Sequence, residues 1–250
     1  MSMRPDLRDR ETLGGWCAIP NWLSAEIIGR AGFDWVCVDT QHGPIGPSEM
    51  AAMLQGLSAA GVPALVRVPW NEPAAIYRAL DSGASGVIVP LVNSPSEAEA
   101  AAQACRFAPT GTRSYGPTIA ALRHPAFGAE AANDEVVCIV QIETEEAIDC
   151  VDAIAGVEGI DGLFVGPADL GLSIGTPAGD VTNERFRGAT RRVVRAALDH
   201  DKVPAIFCGT IEAALIARSD GFKMLAVQSD VRFLRAAASE AISRLRGRDA

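Results

Sequence analysis

Eight short apolar segments recur along the chain, and each is followed by a longer stretch with helical periodicity. The segments are residues 12–19, 34–39, 63–68, 86–90, 136–142, 162–166, 203–207 and 223–227. Nearly continuous apolar strands are typical of parallel sheets, because helices cover both faces of such a sheet. Eight βα units in 250 residues match the number and size of a TIM (β/α)8 barrel. We therefore predict an α/β TIM barrel, with residues 1–250 forming a single domain.

The competing architecture is a doubly wound open sheet. Its nucleotide-binding version is disfavoured, because no G-x-G-x-x-G follows the first strand and no Walker A motif occurs. No linker or low-complexity tract divides the chain. Capping residues open several predicted helices, including Ser94 and Thr144. The predicted helices span residues 22–31, 47–60, 73–82, 95–105, 145–155, 183–200, 210–219 and 230–246.

The net charge restricts the classes of partner. A formal charge of −9 argues against nucleic acid or an anionic membrane as the main partner, since both require a basic surface. The first residues lack the apolar core of a signal peptide, and no segment approaches the roughly 18 apolar residues that span a bilayer. We therefore predict a cytoplasmic protein that acts on small molecules.

The six cysteines are scattered singly, without the spacing of a zinc site. Cys37, Cys138 and Cys208 lie inside apolar runs, which predicts buried, unreactive side chains. Neither His124 nor His200 follows a predicted strand, and we assign no chemistry to them.

Polar side chains follow several of the predicted strands. In a TIM barrel such residues meet on the C-terminal face, where the βα loops build active sites. These strand-end residues are Asp39, His42, Arg67, Gln141, Glu143 and Asp169.

Each strand-end residue also has a purely structural interpretation. Asp39 and Asp169 are typical turn or helix caps, Glu143 is placed to interact with a helix dipole, and Arg67 can pair with a barrel carboxylate. Taken together, however, two carboxylates with room for water and substrate suit Mg²⁺ or Mn²⁺ better than a closed zinc site.

Five segments, in order, resemble one known family. They are "FDWVCVDTQHGP", "RVPWNEP" with "ALDSGASGVIVPLV", "APTGTRSYGP", "VQIETEEAI" and "VEGIDGLFVGPADLGLSIG". These segments are similar to the HpcH/HpaI family of class II, metal-dependent pyruvate aldolases, and the likeness runs from about Gly15 to Val227. It implies a TIM barrel that makes or cleaves a C–C bond between the enolate of pyruvate or hydroxypyruvate and an aldehyde, acting on 4-hydroxy-2-oxo acids.

The resemblance implies specific roles for five residues. Glu143 and Asp169 match the two metal-binding carboxylates of the family, for Mg²⁺ or Mn²⁺, with Co²⁺ and Zn²⁺ as further options. Arg67 matches the arginine that contacts the keto oxygen, and His42 the acid/base histidine. Asp81 matches the aspartate that orients this histidine.

Further positions match the substrate-binding residues of the family. Gln141 is expected beside the keto acid, and Gly166, Pro167 and Ala168 belong to the segment that holds its carboxylate. Trp16 stands where the family often has an aromatic residue. Neither lysine of the chain, Lys202 or Lys223, follows a predicted strand, which disfavours a Schiff-base aldolase.

One residue departs from the family pattern. Many members have glutamate where this chain has Gln41, directly before the histidine. This replacement removes a charge beside the predicted acid/base group. The aldehyde that one family member uses is therefore not assigned to this chain.

The C-terminal segment 230–246 has an apolar face. The resemblance implies a helix that packs on, or is swapped with, a neighbouring subunit of a homotrimer or homohexamer. An amphipathic helix that closes its own barrel explains the same pattern.

Two other functional classes remain as hypotheses. One is a different metal-enolate enzyme, either an oxaloacetate decarboxylase or a CoA-ester lyase of the citrate-lyase type; a CoA lyase would need a basic entrance. The other is a non-catalytic barrel that binds a keto acid.

Overall fold

The computed structural model describes Leu7, residues 10–123 and residues 127–247. His124 lies outside these described residues, as do the two ends of the predicted domain. The described residues contain a closed barrel of eight parallel strands in the order β1 to β8. The TIM barrel predicted from the sequence is therefore confirmed. The strands are β1 Thr12–Cys17, β2 Trp35–Asp39, β3 Ala64–Arg67, β4 Gly86–Val89, β5 Val137–Ile142, β6 Gly162–Val165, β7 Val203–Phe207 and β8 Met224–Ser229.

Helices surround the barrel and connect its strands. They are α1 Trp22–Gly29, α2 Pro47–Ala60, α3 Pro73–Asp81, α4 Pro95–Cys105, α5 Thr118–Arg123, α6 Ala129–Glu135, α7 Glu145–Asp149, α8 Val151–Ala155, α9 Pro167–Ser173, α10 Glu184–Asp199, α11 Ile211–Ser219 and α12 Asp230–Leu245. The predicted caps are confirmed: the side chain of Ser94 accepts the N–H of Glu97, and that of Thr144 accepts the N–H of Ala147.

The helix predictions differ from the structure in two respects. The helix predicted over 145–155 is wrong as one element, because it is divided into α7 and α8 at Cys150. Helices α5, α6 and α9 were not predicted from the sequence. They have six or seven residues, and α6 buries no side chain, so the apolar periodicity that reveals a longer helix is absent.

Two apolar cores hold the fold together. The larger core lies between the strands and the helices, and a smaller one fills the barrel. Along β2, Val36 and Val38 belong to the outer core, while Trp35 and Cys37 point into the barrel. This alternation explains why the strand is apolar on every residue. The prediction that Cys37, Cys138 and Cys208 are buried is also confirmed.

The N-terminal end of α12 is attached to the barrel through Asp230. Its buried carboxylate accepts the N–H groups of Ala18 and Ile19, at 2.9 and 3.1 Å, and the hydroxyl of Ser24. Within α12, Asp230 is the only buried residue, and Leu234, Ile242 and Leu245 are exposed. The predicted subunit swap stays a prediction.

We expect the protein to form a homo-oligomer, a trimer or hexamer. The apolar side chains along α12 leave a surface whose burial against a second copy would be favourable. Light scattering coupled to size-exclusion chromatography measures the mass directly. A single peak near 26 kDa, the mass of one chain, would contradict this expectation.

Among the described residues, none of the helices has both the length and the apolar character needed to traverse a bilayer.

Candidate active site

A cavity of about 300 Å³ opens at the C-terminal ends of the strands. It contains most of the residues that sequence reasoning selected. Its walls are formed by Trp16, Ala18, Asp39, His42, Arg67, Gln141, Phe164, Gly166, Pro167, Ala168, Asp169, Phe207, Ser229 and Arg232. We call it the strand-end cavity.

The best-defined polar contact in the strand-end cavity is a buried ion pair between neighbouring strands. Asp39 and Arg67 are register partners at the ends of β2 and β3. Arg67 Nε and Nη2 donate to the two oxygens of Asp39, at 2.9 and 2.6 Å. Trp16 Nε1 donates to Asp39 at 3.1 Å, and the guanidinium of Arg67 lies 5.0 Å from the centre of the Trp16 ring. Arg67 is therefore held in one orientation from two sides.

Asp39 is ionised because of these partners. Burial raises the pKa of its carboxyl, but the hydrogen bonds and charge of Arg67, with the Trp16 hydrogen bond, outweigh burial, so the pKa is lowered overall. Asp39 also accepts the backbone N–H groups of Gln41 and His42, at 3.1 and 3.2 Å. The two structural interpretations from the sequence, a turn cap for Asp39 and an ion pair for Arg67, thus both hold.

His42 is presented to the cavity by the turn that Asp39 caps. Its side chain is exposed, whereas Asp39 is buried. A histidine on a fixed turn and in contact with solvent can exchange protons with a bound molecule.

A buried carboxylate, Glu143, is hydrogen-bonded to Gln141, a residue of the cavity wall. Its Oε1 accepts the N–H of Leu91 at 2.9 Å, and its Oε2 accepts a short hydrogen bond from Gln141 Nε2. Leu91 has a φ of 53°, a conformation that non-glycine residues seldom adopt and that is found at functional sites. Gly166 is needed here, because a Cβ at that position would collide with the side chains of Glu143 and Gln141.

The electrostatics around Glu143 favour a cation. Burial raises the pKa of its carboxyl; the N–H of Leu91 opposes this, but the negative charge of Asp169 raises the pKa further. Glu143 is buried and Asp169 is exposed, and a positive ion bound near both would offset the repulsion between their charges. In addition, Gln141 Oε1 is a buried oxygen for which the structure provides no hydrogen-bond donor.

The donor set is compatible with Mg²⁺ or Mn²⁺ and unlike a closed zinc site. Across residues 10–123 and 127–247, no group of three or more His, Cys, Asp and Glu side chains is arranged to hold a metal. The candidate ligands are two carboxylates, those of Glu143 and Asp169. Mg²⁺ is commonly held by one or two carboxylates, with water and substrate completing its coordination shell. The residues present therefore fit a hard divalent ion.

Asp81 is not brought to His42 within one chain. It ends α3, and its carboxylate accepts a hydrogen bond from the buried Arg113 at 2.6 Å. Among the described residues, no hydrogen bond or ion pair joins Asp81 to His42. Its role in orienting the histidine stays a prediction.

The cavity also contains residues that sequence reasoning missed. Phe207 ends β7, Ser229 ends β8, and Arg232 lies in the first turn of α12. The rule that polar strand-end residues meet on one face applies to all eight strands. Applied to "QSDVR" after β8, it would have found Ser229 and Arg232.

The side chains of Cys37, Cys208 and the two lysines are poorly placed to act as nucleophiles. Burial raises the pKa of Cys208 to about 12, and burial, with the charge of Asp39, raises the pKa of Cys37. Lys202 and Lys223 precede β7 and β8, so they lie at the opposite end of the barrel from the cavity. Schiff-base chemistry is therefore disfavoured, as predicted.

From the resemblance to the pyruvate aldolases, we expect Gln41→Glu to change the preference among aldehydes by up to about tenfold while proton exchange at pyruvate is preserved. The side-chain oxygen of Gln41 is buried without a hydrogen-bond donor, one residue from His42, so a charge there alters the surroundings of the histidine. Parallel assays of several aldehydes and of exchange measure both properties. Loss of exchange in the variant would contradict the expectation.

The fold and the cavity define a class: a TIM-barrel enzyme with an arginine, a histidine and an aspartate on the wall of one small cavity, and a buried glutamate hydrogen-bonded to that wall. Residues 13–237 match the HpcH/HpaI aldolase/citrate lyase family. The chain belongs to this family, whose aldolase members are carbon–carbon lyases.

Individual relatives cover nearly the whole chain. It is 37% identical to a hydroxypyruvate/pyruvate aldolase of Rhizorhabdus wittichii, over 94% of each chain. It is 33% identical to a 4-hydroxy-2-oxo-heptane-1,7-dioate aldolase of Escherichia coli, over 94% of this chain and 90% of the relative.

Solved structures agree with this assignment. An HpcH/HpaI aldolase/citrate lyase family protein of Burkholderia cenocepacia superimposes with a TM-score of 0.91 at 34% identity, over 98% of each chain. A citrate lyase beta subunit of Mycobacterium tuberculosis, complexed with oxaloacetate and magnesium, gives 0.59 at 17% identity, over 90% of this chain and 95% of that one. The second likeness shows a shared fold alone.

Proposed function

We propose that this protein is a metal-dependent aldolase that joins pyruvate or hydroxypyruvate to an aldehyde, or cleaves the resulting 4-hydroxy-2-oxo acid. The observation that carries the proposal is the pair Glu143 and Asp169 beside the same cavity as Arg67 and His42. The names of the aldolase relatives support the same chemistry.

Glu143 and Asp169 would hold the divalent ion, Mg²⁺ or Mn²⁺, with Co²⁺ or Zn²⁺ as alternatives. When bound, the ion supplies Lewis acidity that makes the methyl protons of pyruvate more acidic.

Protein groups position the keto acid. Arg67, fixed by Asp39 and Trp16, offers a positive charge to the keto oxygen, where negative charge develops as the methyl proton leaves. The N–H groups of Ala168 and Asp169, in the first turn of α9, have no acceptor within that helix and suit the carboxylate of the keto acid. Gln141 lies on the wall of the same cavity.

His42 handles the proton at the aldehyde oxygen. When the C–C bond forms, this oxygen gains a proton, and when the bond is cleaved, it loses one. The capped turn below His42 keeps the imidazole at the cavity, and its exposure allows the proton to be exchanged with solvent.

The proposal is tested by proton exchange at pyruvate, which needs no knowledge of the aldehyde. We expect the protein to exchange deuterium into the methyl group of pyruvate or into the methylene group of hydroxypyruvate. NMR measures this exchange. Exchange should stop when EDTA removes the metal and return when Mg²⁺ or Mn²⁺ is added. The absence of exchange with either keto acid in metal-replete protein would overturn the proposal and favour a CoA-ester lyase or a binding protein.

A further inference from the structure

A second cavity adjoins the strand-end cavity on the C-terminal face. It has a volume of about 450 Å³ and lies between the β6–α9 region and the loop that joins β7 to α11. The two cavities share one wall, formed by Pro167, Ala168, Phe207 and Arg232. We call the second one the side cavity. Its volume is within the range of pockets that bind small molecules.

Arg232 is the charged residue of the shared wall, and the protein holds it in place. The Ser229 side chain caps the backbone N–H of Arg232, and the adjacent Asp230 anchors the start of α12 to the β1–α1 loop. At the other end of the side chain, Arg232 Nη1 donates to the carbonyl of Gly209 at 3.0 Å.

Gly209 is suited to this contact. Its φ of +75° lies in the left-handed region, and a Cβ at this position would be 3.2 Å from Arg232 Nη1. Glycine therefore lets the backbone approach the guanidinium closely.

The charge of Arg232 is not neutralised by the described part of the chain. No carboxylate among the described residues forms an ion pair with it, whereas Arg67, Arg113 and Arg187 each have an aspartate partner. Two acidic residues line the side cavity. Asp180 is occupied by the N–H and hydroxyl of Thr182, at 3.0 and 2.6 Å, and Glu212 lies in the first turn of α11. The remaining N–H donors of Arg232 are available to a ligand.

The position of Arg232 separates it from the groups that would hold the keto acid. Arg67, Glu143 and Asp169 follow β3, β5 and β6, whereas Arg232 follows β8. An aldehyde must meet the keto acid at its methyl carbon, and the rest of the aldehyde extends away from that carbon. A tail that extends past the shared wall would leave the strand-end cavity and enter the side cavity, next to Arg232.

We propose that the side cavity receives the tail of the acceptor aldehyde and that Arg232 selects aldehydes with an anionic group, foremost a carboxylate. The inference rests on the proposed aldolase function and adds the class of its second substrate. Arginine binds a carboxylate through two parallel hydrogen bonds, which gives both affinity and orientation. Arg232 takes no part in bond formation: the methyl carbon loses a proton, bonds to the aldehyde carbon, and the aldehyde oxygen gains a proton.

The test compares acceptors of equal chain length with and without the anion. Initial rates of aldol addition to pyruvate are measured with succinic semialdehyde and with butanal, at saturating Mg²⁺. We expect Arg232→Gln to lower the ratio of kcat/KM for succinic semialdehyde over butanal by about 10- to 100-fold, the effect of losing a charged hydrogen bond. Arg232→Lys keeps the positive charge but lacks the two parallel N–H donors of the guanidinium, so it should give an intermediate ratio.

Arg235→Gln is the matched control, since it removes an exposed arginine one turn further along α12. The ratio in this variant should equal that of the unmodified protein. A further pair, glyceraldehyde 3-phosphate and glyceraldehyde, shows whether a phosphate is selected in the same way as a carboxylate.

The outcomes separate this inference from the proposed function. If the unmodified protein prefers neither anionic aldehyde, or if Arg232→Gln slows both members of a pair equally, the inference is overturned. Equal slowing would mean that Arg232 only ties α12 to the carbonyl of Gly209. If the unmodified protein does not exchange the methyl protons of pyruvate, the aldolase function itself fails. The last outcome is a folded Arg232→Lys protein that keeps the same ratio of kcat/KM for succinic semialdehyde over butanal as the unmodified protein. This result would show that the paired N–H donors of the guanidinium are not required, and it would count against the inference.

Discussion

Replacing Glu143 by glutamine is expected to reduce metal-dependent proton exchange at pyruvate by about 1,000-fold or more. The substitution removes one of the two carboxylates proposed to hold the ion, and the Lewis acidity of a bound ion is worth several kcal/mol of barrier. Exchange is followed by NMR at increasing concentrations of Mg²⁺ or Mn²⁺. Asp169→Asn should give a loss of the same kind.

The same substitution should preserve or raise the thermal stability of the metal-free protein. Because burial, with the charge of Asp169, raises the pKa of Glu143, the folded state disfavours its ionised form. The resulting destabilisation is absent below the pKa of Glu143 in the unfolded chain and is fully present above its raised pKa in the folded protein. At neutral pH a neutral amide avoids this penalty. Mn²⁺ should therefore raise the Tm of the unmodified protein but not that of Glu143→Gln.

Glu145→Gln provides the control for both measurements. Glu145 lies two residues further along the chain, is exposed, and forms a surface ion pair with Arg185 at 3.1 Å. Its replacement should change neither exchange nor the response of Tm to metal. A Glu143→Gln protein that is stabilised by Mn²⁺ as strongly as the unmodified protein would contradict the proposed metal site.

The second large effect concerns stability. We expect Asp39→Asn to lower the free energy of unfolding by about 3–5 kcal/mol, because removing one partner of a buried ion pair leaves the other charge without compensation. The side chains of Arg67 and Asp39 are only 11% and 5% exposed. Denaturant unfolding monitored by circular dichroism measures the change. Exchange at pyruvate should fall as well, since Arg67 loses the partner that orients it.

The effect of Asp39→Asn should depend on pH in a defined direction. The folded-state pKa of Asp39 is lowered, so its stabilising contribution is fully present above about pH 4, the ordinary pKa of aspartate. It is lost as the pH falls through the lower folded-state pKa. The difference in stability between the two proteins should therefore be largest near neutrality and shrink in acid.

Asp34→Asn is the matched comparison at the opposite end of β2. Asp34 pairs with Arg10 at 2.7 Å, but these side chains are 26% and 50% exposed. Solvent screens such a pair, so the loss should be no more than about 1 kcal/mol. Equal losses for Asp34→Asn and Asp39→Asn would show that burial of the Asp39 pair has no special energetic role.

Much of the candidate site could be predicted from the sequence because strand ends in a parallel barrel all face one end. His42, Arg67, Gln141 and Asp169 lie at or just past the ends of strands recognisable by their apolar runs, and all line one cavity. Gly166, Pro167 and Ala168 line it too, but they were selected from the resemblance to the family. Asp81 could not be judged in this way, because it ends a helix. Its observed partner, Arg113, is 32 residues away in the sequence and is brought to it only by packing.

The sequence by itself determined the barrel and the chemical types at its rim, because apolar periodicity and strand-end position are local properties of the chain. Tertiary structure alone decided which of these groups touch. The register of β2 against β3 turned Asp39 into the partner of Arg67, and burial, with the negative charge of nearby Asp169, raised the pKa of Glu143. Closure of β8 onto β1 brought Arg232 to the same cavity. Such contacts depend on distances between residues far apart in the chain, and no local pattern records them.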